Sequence, residues 1–266
     1  MATDFSTQYI HNSKKRLQWT PLYFKMKAAP LIKRWRVLRR LLHRYRHYPS
    51  RHECNFTSML EAATRHFQKN GWAFIEGILS KDFHDEFMRQ WPKRWYFEPP
   101  IKVIKSYDIG FEWREGSRPQ FRYSDPYGQY EPPLKFLAYL RSSECEERIA
   151  KFIGTGKKYS LYSFILHSTH VGSEVIPHKD REDNDPEFTN GANILFFING
   201  TGGKRSGGLT LSRDNDMNTI IVEPENLLNS CLIYDMRANF YHGFRPIEKG
   251  KFRWAVGAQF LEKNFI

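Results

Sequence analysis

From Tyr159 to Phe260 the chain is a series of short apolar runs cut by stretches rich in Gly, Asn and Asp, and few folds accept that pattern. Tyr159 to Val175 is rich in Tyr, Leu, Ile and Val. Asn193 to Asn199, Leu209 to Ser212, Thr219 to Val222 and Ser230 to Tyr234 follow as further strand-like runs. Short strands separated by turn residues predict antiparallel pairing between sequence neighbours, as in an all-β barrel or jelly roll. Such a closed arrangement brings side chains that are distant in sequence to one interior.

Four residues in this half are of types that perform chemistry together: His178, Asp180, His242 and Arg253. Ile176-Pro177-His178-Lys179-Asp180 ends the first apolar segment, so it reads as a strand end. Residues i and i+2 of a strand face the same side, which points His178 and Asp180 inward together and Lys179 away. A barrel can return His242 beside them. Two imidazoles and one carboxylate on one face of a ferrous ion leave three coordination positions open, as dioxygen chemistry with a bidentate oxo acid requires. Arg253 has the planar fork that grips a carboxylate through paired, charge-assisted hydrogen bonds. Taken singly, His178, Asp180 and His242 are ordinary polar residues at strand ends and Arg253 fits pairing with a structural carboxylate; the order and spacing of all four carry the expectation.

These residues resemble the motif of the Fe(II)- and 2-oxoglutarate-dependent dioxygenases, particularly the prolyl-hydroxylase-like branch: His-x-Asp, then a second His, then a basic residue about ten positions on. Gly172, Leu195-Phe196-Phe197-Ile198-Asn199, Ser206 to Leu211 and Gly250 to Val256 echo the same family, and Phe67 to Ser80 resembles the opening strand before its barrel. The likeness spans residues 57 to 262. It implies a mainly β member of the α+β class, with a double-stranded β-helix (jelly-roll) core and flanking helices. It also implies His178, Asp180 and His242 as iron ligands, Arg253 on the distal carboxylate of 2-oxoglutarate, and O2 as the second cosubstrate. Oxidative decarboxylation then yields succinate and CO2, and an unactivated C–H bond becomes an alcohol. Family members usually place a hydroxyl beside the basic residue, where this chain has Phe196, Phe197 and Ala255; Tyr162 or Thr169, or else Tyr159, is expected to supply it from a neighbouring strand.

Charge divides the chain. Residues 1–51 hold 13 of the 41 Lys and Arg but one of the 29 Asp and Glu, so the remaining 28 bases and 28 acids balance and the net +12 belongs to the leader. The expected organisation is a basic leader over 1–51 and one catalytic domain over 52–266. Leu31, Trp35, Leu38, Leu41, Leu42 and Tyr45 recur at helical spacing between Pro30 and Pro49, which predicts an amphipathic basic helix over Leu31 to Tyr48. Three readings fit it: attachment to an anionic membrane surface, docking of its apolar stripe on the barrel, or, least favoured, contact with nucleic acid. The first suits a lipid-linked glycan substrate, as in the hydroxylases of the lipopolysaccharide sugar Kdo within the resembled family. The second suits a soluble hydroxylase of protein side chains or amino acids, and a cupin-like metal binder without turnover stands as a third class.

Other partners are disfavoured. Position 259 is Gln where base-repairing relatives carry a second Arg, and the basic excess lies outside the barrel, so nucleic acid is not indicated. Gly200 to Ser206 lacks the first Gly of a phosphate loop and reads as a hairpin turn. Cys54, Cys145 and Cys231 are too few and too scattered for a disulfide scaffold, and neither a signal-peptide core nor an 18-residue apolar run is present, so a cytoplasmic protein, peripheral on a membrane's inner face in the first reading, is expected.

Outside the barrel the sequence predicts helices over Phe56 to Asn70 and Lys81 to Trp91, the latter capped by Ser80, a strand over Trp72 to Glu76, and one helix over Leu134 to Ile153. Residues 93 to 132 read as irregular, with Trp95, Trp113, Arg114, Arg122, Tyr123 and Tyr127 as candidate substrate contacts. The acidic stretch Glu182 to Glu187 reads as a solvated loop or part of a lid. Arg237 is placed either to pair with Asp235 or to reach an anionic substrate.

Overall fold

The computed structural model describes residues 54–92, 108–114, 120–121, 131–169, 171–180, 190–201, 208–248 and 252–263. The expected leader helix, Trp95, Arg122, Tyr123, Tyr127, the acidic stretch 182–187 and most of the 200–206 turn lie outside the described residues.

Two antiparallel sheets form the core. The larger has seven strands in the order β1 (Trp72–Glu76), β9 (Ser230–Asp235), β6 (Gly191–Gly200), β11 (Arg253–Glu262), β4 (Tyr159–Thr169), β2 (Asp108–Arg114), β3 (Gln120–Phe121). The smaller has four, β5 (Val175–His178), β10 (Tyr241–Phe244), β7 (Thr210–Ser212) and β8 (Ile220–Val222). Period-two alternation assigns each face. On β6, Ile194, Phe196 and Ile198 join the core under the helices, whereas Leu195 and Phe197 join a second core between the sheets. A strand buried on both sides reads as a continuous apolar run, as Ile194 to Ile198 does.

Among the described residues, four helices cover the outer face of the large sheet: α1 (Phe56–Asn70), α2 (Lys81–Arg89), α3 (Glu131–Leu140) and α4 (Ser143–Ile153). Phe67 of α1 meets Phe152 of α4 at 4.4 Å between ring centroids, and Phe136 of α3 sits edge-on to Phe196 of β6 at 4.9 Å. Burying one such aromatic contributes about 1.5–3 kcal/mol. Ser80 caps α2, its hydroxyl accepting the Phe83 amide.

Two sequence expectations are corrected here. Residues 93 to 132 are not wholly irregular, because β2 and β3 extend the sheet beyond β4. The expected single helix over Leu134 to Ile153 is two: Ser142 accepts the Cys145 amide and starts α4 afresh, ending α3 at Leu140.

The passage from β4 to β5 carries the chain from the large sheet to the small one. It turns at Gly172, whose φ of 80° lies in the left-handed region. Gly172 donates its N–H to the Ile247 carbonyl at 2.8 Å, and Ile247 returns one to Ser173 at 2.9 Å. β5 is thereby tied to the segment after β10, and the two strands that bear the histidines run side by side.

Candidate active site

His178 and His242 are cross-strand partners of β5 and β10, with ring centroids 4.3 Å apart. The approach is close because residue 243 is Gly: a Cβ there would lie 2.5 Å from the Val175 carbonyl oxygen and 2.8 Å from Met217 Cε. Asp180 lies two residues beyond the end of β5. Its Oδ1 lies 3.6 Å from His242 Nε2 and 4.0 Å from His178 Nε2, and the three residues offer ligand atoms all within 4.8 Å of one another. His178 Nδ1 lies 2.9 Å from the Ile176 carbonyl, so Nδ1 carries the proton and Nε2 keeps its lone pair toward the cluster.

Arg253 opens β11 and is 3% exposed. Its guanidinium carbon lies 4.1 Å from the Phe244 ring centroid and 5.4 Å from that of Phe197, so aromatic faces shield a planar cation from water. Arg253 and the His178, Asp180 and His242 cluster line one cleft of about 590 Å³, counted to its open mouth, together with Ser163, Ile165, His167, Val175, Asn193, Leu195, Leu209, Gly243, Phe244, Gly257 and Gln259. Gly257 keeps part of it clear. A Cβ at this position would meet His167 Cε1 at 3.1 Å and Leu195 Cδ2 at 3.8 Å.

The donor set fits ferrous iron. Two neutral imidazoles and one carboxylate converge from one side, and hard and borderline donors of this kind suit Fe(II) better than they suit calcium or a thiolate-bound zinc. The rest of the cleft fits a short dicarboxylic oxo acid: a buried guanidinium belongs with an anion, and the walls contributed by Ile165, Leu195, Val175 and Leu209 suit methylene groups.

The hydroxyl expected beside Arg253 is not supplied by the residues proposed for it. Tyr162 lies where the β4–β11 register shifts between Gln259 and Phe260, and it does not line the cleft. Thr169 is buried opposite Arg253, but its Oγ1 donates to the Arg253 carbonyl at 3.0 Å, which holds the backbone and not a ligand. Tyr159 belongs to the helix-side core and bonds Thr155 at 2.8 Å. Arg237 closes on Asp235 through Nε at 2.9 Å and Nη2 at 2.5 Å, and the Asp235 carboxylate raises the guanidinium's pKa further.

A polar row that the sequence did not predict crosses the large sheet. Tyr234, Asn193, Gln259 and Ser163 stand opposite one another on β9, β6, β11 and β4. Asn193 donates to the Tyr234 oxygen at 2.8 Å, and Ser163 donates to Gln259 Oε1 at 3.0 Å. Tyr234 and Asn193 both donate to Asp180 Oδ2, and the Tyr234 oxygen is 3.3 Å from each ring nitrogen of His242. Asn193 at the head of an otherwise apolar run was the one signal in the sequence.

The sequence matches no protein-family profile and no curated protein. Solved structures do match. A prolyl hydroxylase from Trichoplax adhaerens, in complex with a peptide fragment of the hypoxia inducible factor oxygen degradation domain, superposes with a TM-score of 0.60 at 13% identity, covering 79% of this chain and 92% of that one. A prolyl-4-hydroxylase from Pseudomonas putida gives 0.55 at 16% identity over 77% of this chain and 100% of its own. HygX from Streptomyces hygroscopicus, with nickel, 2-oxoglutarate and hygromycin B bound, gives 0.54 at 9% identity over 76% and 87%. The fold is therefore that of the 2-oxoglutarate- and Fe(II)-dependent oxygenases, the prolyl hydroxylases among them.

Proposed function

We propose that this protein is an Fe(II)- and 2-oxoglutarate-dependent dioxygenase that hydroxylates an unactivated C–H bond. The observation that carries the reading is the shared cleft: a His, Asp, His cluster of ligand atoms and a buried guanidinium line one cavity whose wall at Gly257 has no side chain. His178 and His242, through Nε2, and Asp180 would hold the metal. Arg253 would take the distal carboxylate of the oxo acid in a bidentate pair, with Phe197 and Phe244 excluding water and so strengthening the attraction. Ferrous iron in such a site supplies the activation of O2, coupled to decarboxylation of the oxo acid to succinate. The residues of the chain orient the reactants and keep solvent from them.

The test is succinate formation from 2-oxoglutarate with Fe(II) under air. Wild type is expected to form succinate, and His178→Ala, Asp180→Ala and His242→Ala to lose at least ~10²-fold in rate. A wild-type protein that binds metal yet forms no succinate would instead be a cupin-like binder.

For the acceptor, we infer a lipid-linked glycan presented at an anionic membrane surface. The support is the partition of charge, with the entire +12 in residues 1–51 and an amphipathic basic pattern over Leu31 to Tyr48. Sedimentation with anionic vesicles should lose the protein when residues 1–48 are deleted; unchanged binding refutes the interfacial leader. Among the described residues no helix is long and apolar enough to cross a membrane. The second reading, hydroxylation of a protein side chain or amino acid, draws support from the likeness to a prolyl hydroxylase that binds a peptide.

A further inference from the structure

The two oxygens of Asp180 have different surroundings. Oδ1 looks toward the imidazoles, whereas Oδ2 receives the Asn193 amide and the Tyr234 hydroxyl. The donors come from facing positions on β6 and β9 and are joined by their own hydrogen bond of 2.8 Å, so the carboxylate, amide and phenol close a triangle. Asn193 is 5% and Tyr234 2% exposed; Ala192 and Ile194 flank the first on β6, and Ile233 and Asp235 the second on β9. Polar groups so placed need partners, and here the partner they share is a metal-facing carboxylate.

A carboxylate binds a metal through one oxygen or through both, and in the second mode it uses two coordination positions. Two donors on Oδ2 engage its lone pairs and fix the plane of the group. We propose that Tyr234 and Asn193 are positioning residues that confine Asp180 to coordination through Oδ1 alone, keeping open the position that Oδ2 would otherwise take. The proposal rests on the metal-site reading above. It assigns a role to a phenol that touches Asp180 and His242 and that no part of the His-x-Asp, His, Arg pattern specifies.

The experiment uses the full chain loaded with Mn(II), and an unreactive oxo-acid analogue of 2-oxoglutarate, comparing wild type with Tyr234→Phe, Asn193→Leu and the double variant. Crystallography or X-ray absorption reads the number of Asp180 oxygens on the ion, and calorimetry reads affinity for the analogue. Wild type is expected to show one oxygen. The double variant is expected to show two, with the analogue bound about tenfold more weakly, and Tyr234→Phe to shift partway in the same direction. Tyr234→Phe removes only an oxygen atom, so it carries the test alone if the double variant does not fold. Two Asp180 oxygens on the ion in wild type overturn the proposal. So does one oxygen in a folded variant, with affinity unchanged. A wild-type protein that takes up no Mn(II) at His178, Asp180 and His242 overturns the metal-site reading itself, a failure visible before any variant is made.

Discussion

At Arg253 the guanidinium does two things that an ammonium does less well: it sits over the rings of Phe244 and Phe197, at 4.1 and 5.4 Å from their centroids, and it presents a fork. Arg253→Lys is therefore expected to retain Mn(II) binding while weakening 2-oxoglutarate binding by about 10–100-fold, the worth of a charge-assisted hydrogen bond, measured by calorimetry on the metal-loaded protein. Unchanged affinity would remove Arg253 from the cosubstrate site. Gly257 allows an opposite test, since a side chain there meets His167 at 3.1 Å and occupies the cleft. Gly257→Val should abolish 2-oxoglutarate binding in a protein that still folds, destabilised by about 1–3 kcal/mol because His167 must give way, with binding read by calorimetry and stability by urea titration. Residue type, order and spacing marked out His178, Asp180, His242 and Arg253 as candidates, and the fold brings these four to one cleft. Tyr162 was not readable in the same way, because a register shift between Gln259 and Phe260 decides which way it faces. Tyr234 and Asn193 were hidden for a related reason: a hydrogen bond to Asp180 follows from strand registration, which no local pattern encodes.

The connection between β7 and β8 shows how one element depends on an ionised side chain. Asp214 Oδ1 accepts the Asn218 amide at 2.8 Å and Oδ2 the Thr219 amide at 2.7 Å, and Met217 beside them takes φ 55°. The hydrogen bond from the Asn218 amide, then that of Thr219, lowers the Asp214 pKa below its ordinary 3.8. A carboxylate with a depressed pKa stabilises the fold fully above that ordinary value, and the contribution fades as pH falls through the folded-state value. Asp214→Ala should accordingly lower the urea midpoint at pH 6, and the gap from wild type should narrow as pH falls below 3.8. A gap independent of pH would assign the turn's stability to something other than this carboxylate. Met217 leans toward Gly243, so this turn also backs the strand that bears His242. Helix and strand periods predicted α1, α2, β1 and β6 from local sequence. They did not predict β2 and β3, whose evidence is pairing with β4, nor the break at Ser142, where a cap outweighed a continuous apolar period.

For the molecule as a whole, the helical layer seals the outer face of the large sheet, and its three described thiols report on that seal. Cys54, Cys145 and Cys231 are all buried and free; burial pushes Cys54 up to about 12 and the other two well above 9.0. With a raised pKa, each thiol favours the fold below pH 9.0 and loses that contribution as pH climbs through the folded-state value. The native protein at pH 8 should resist iodoacetamide at all three positions and label at all three in denaturant, read by mass spectrometry; prompt labelling of native protein would contradict a sealed core. The sequence by itself determined the class of fold and the identity of the metal-binding candidates, because side-chain period and donor type are local properties carried by each residue. Only the tertiary structure decided which groups share the cleft. Sheet register set Asn193 against Tyr234 and turned both onto Asp180, while the absence of a side chain at Gly243 and Gly257 let β5 meet β10 and left the cleft clear beside His167.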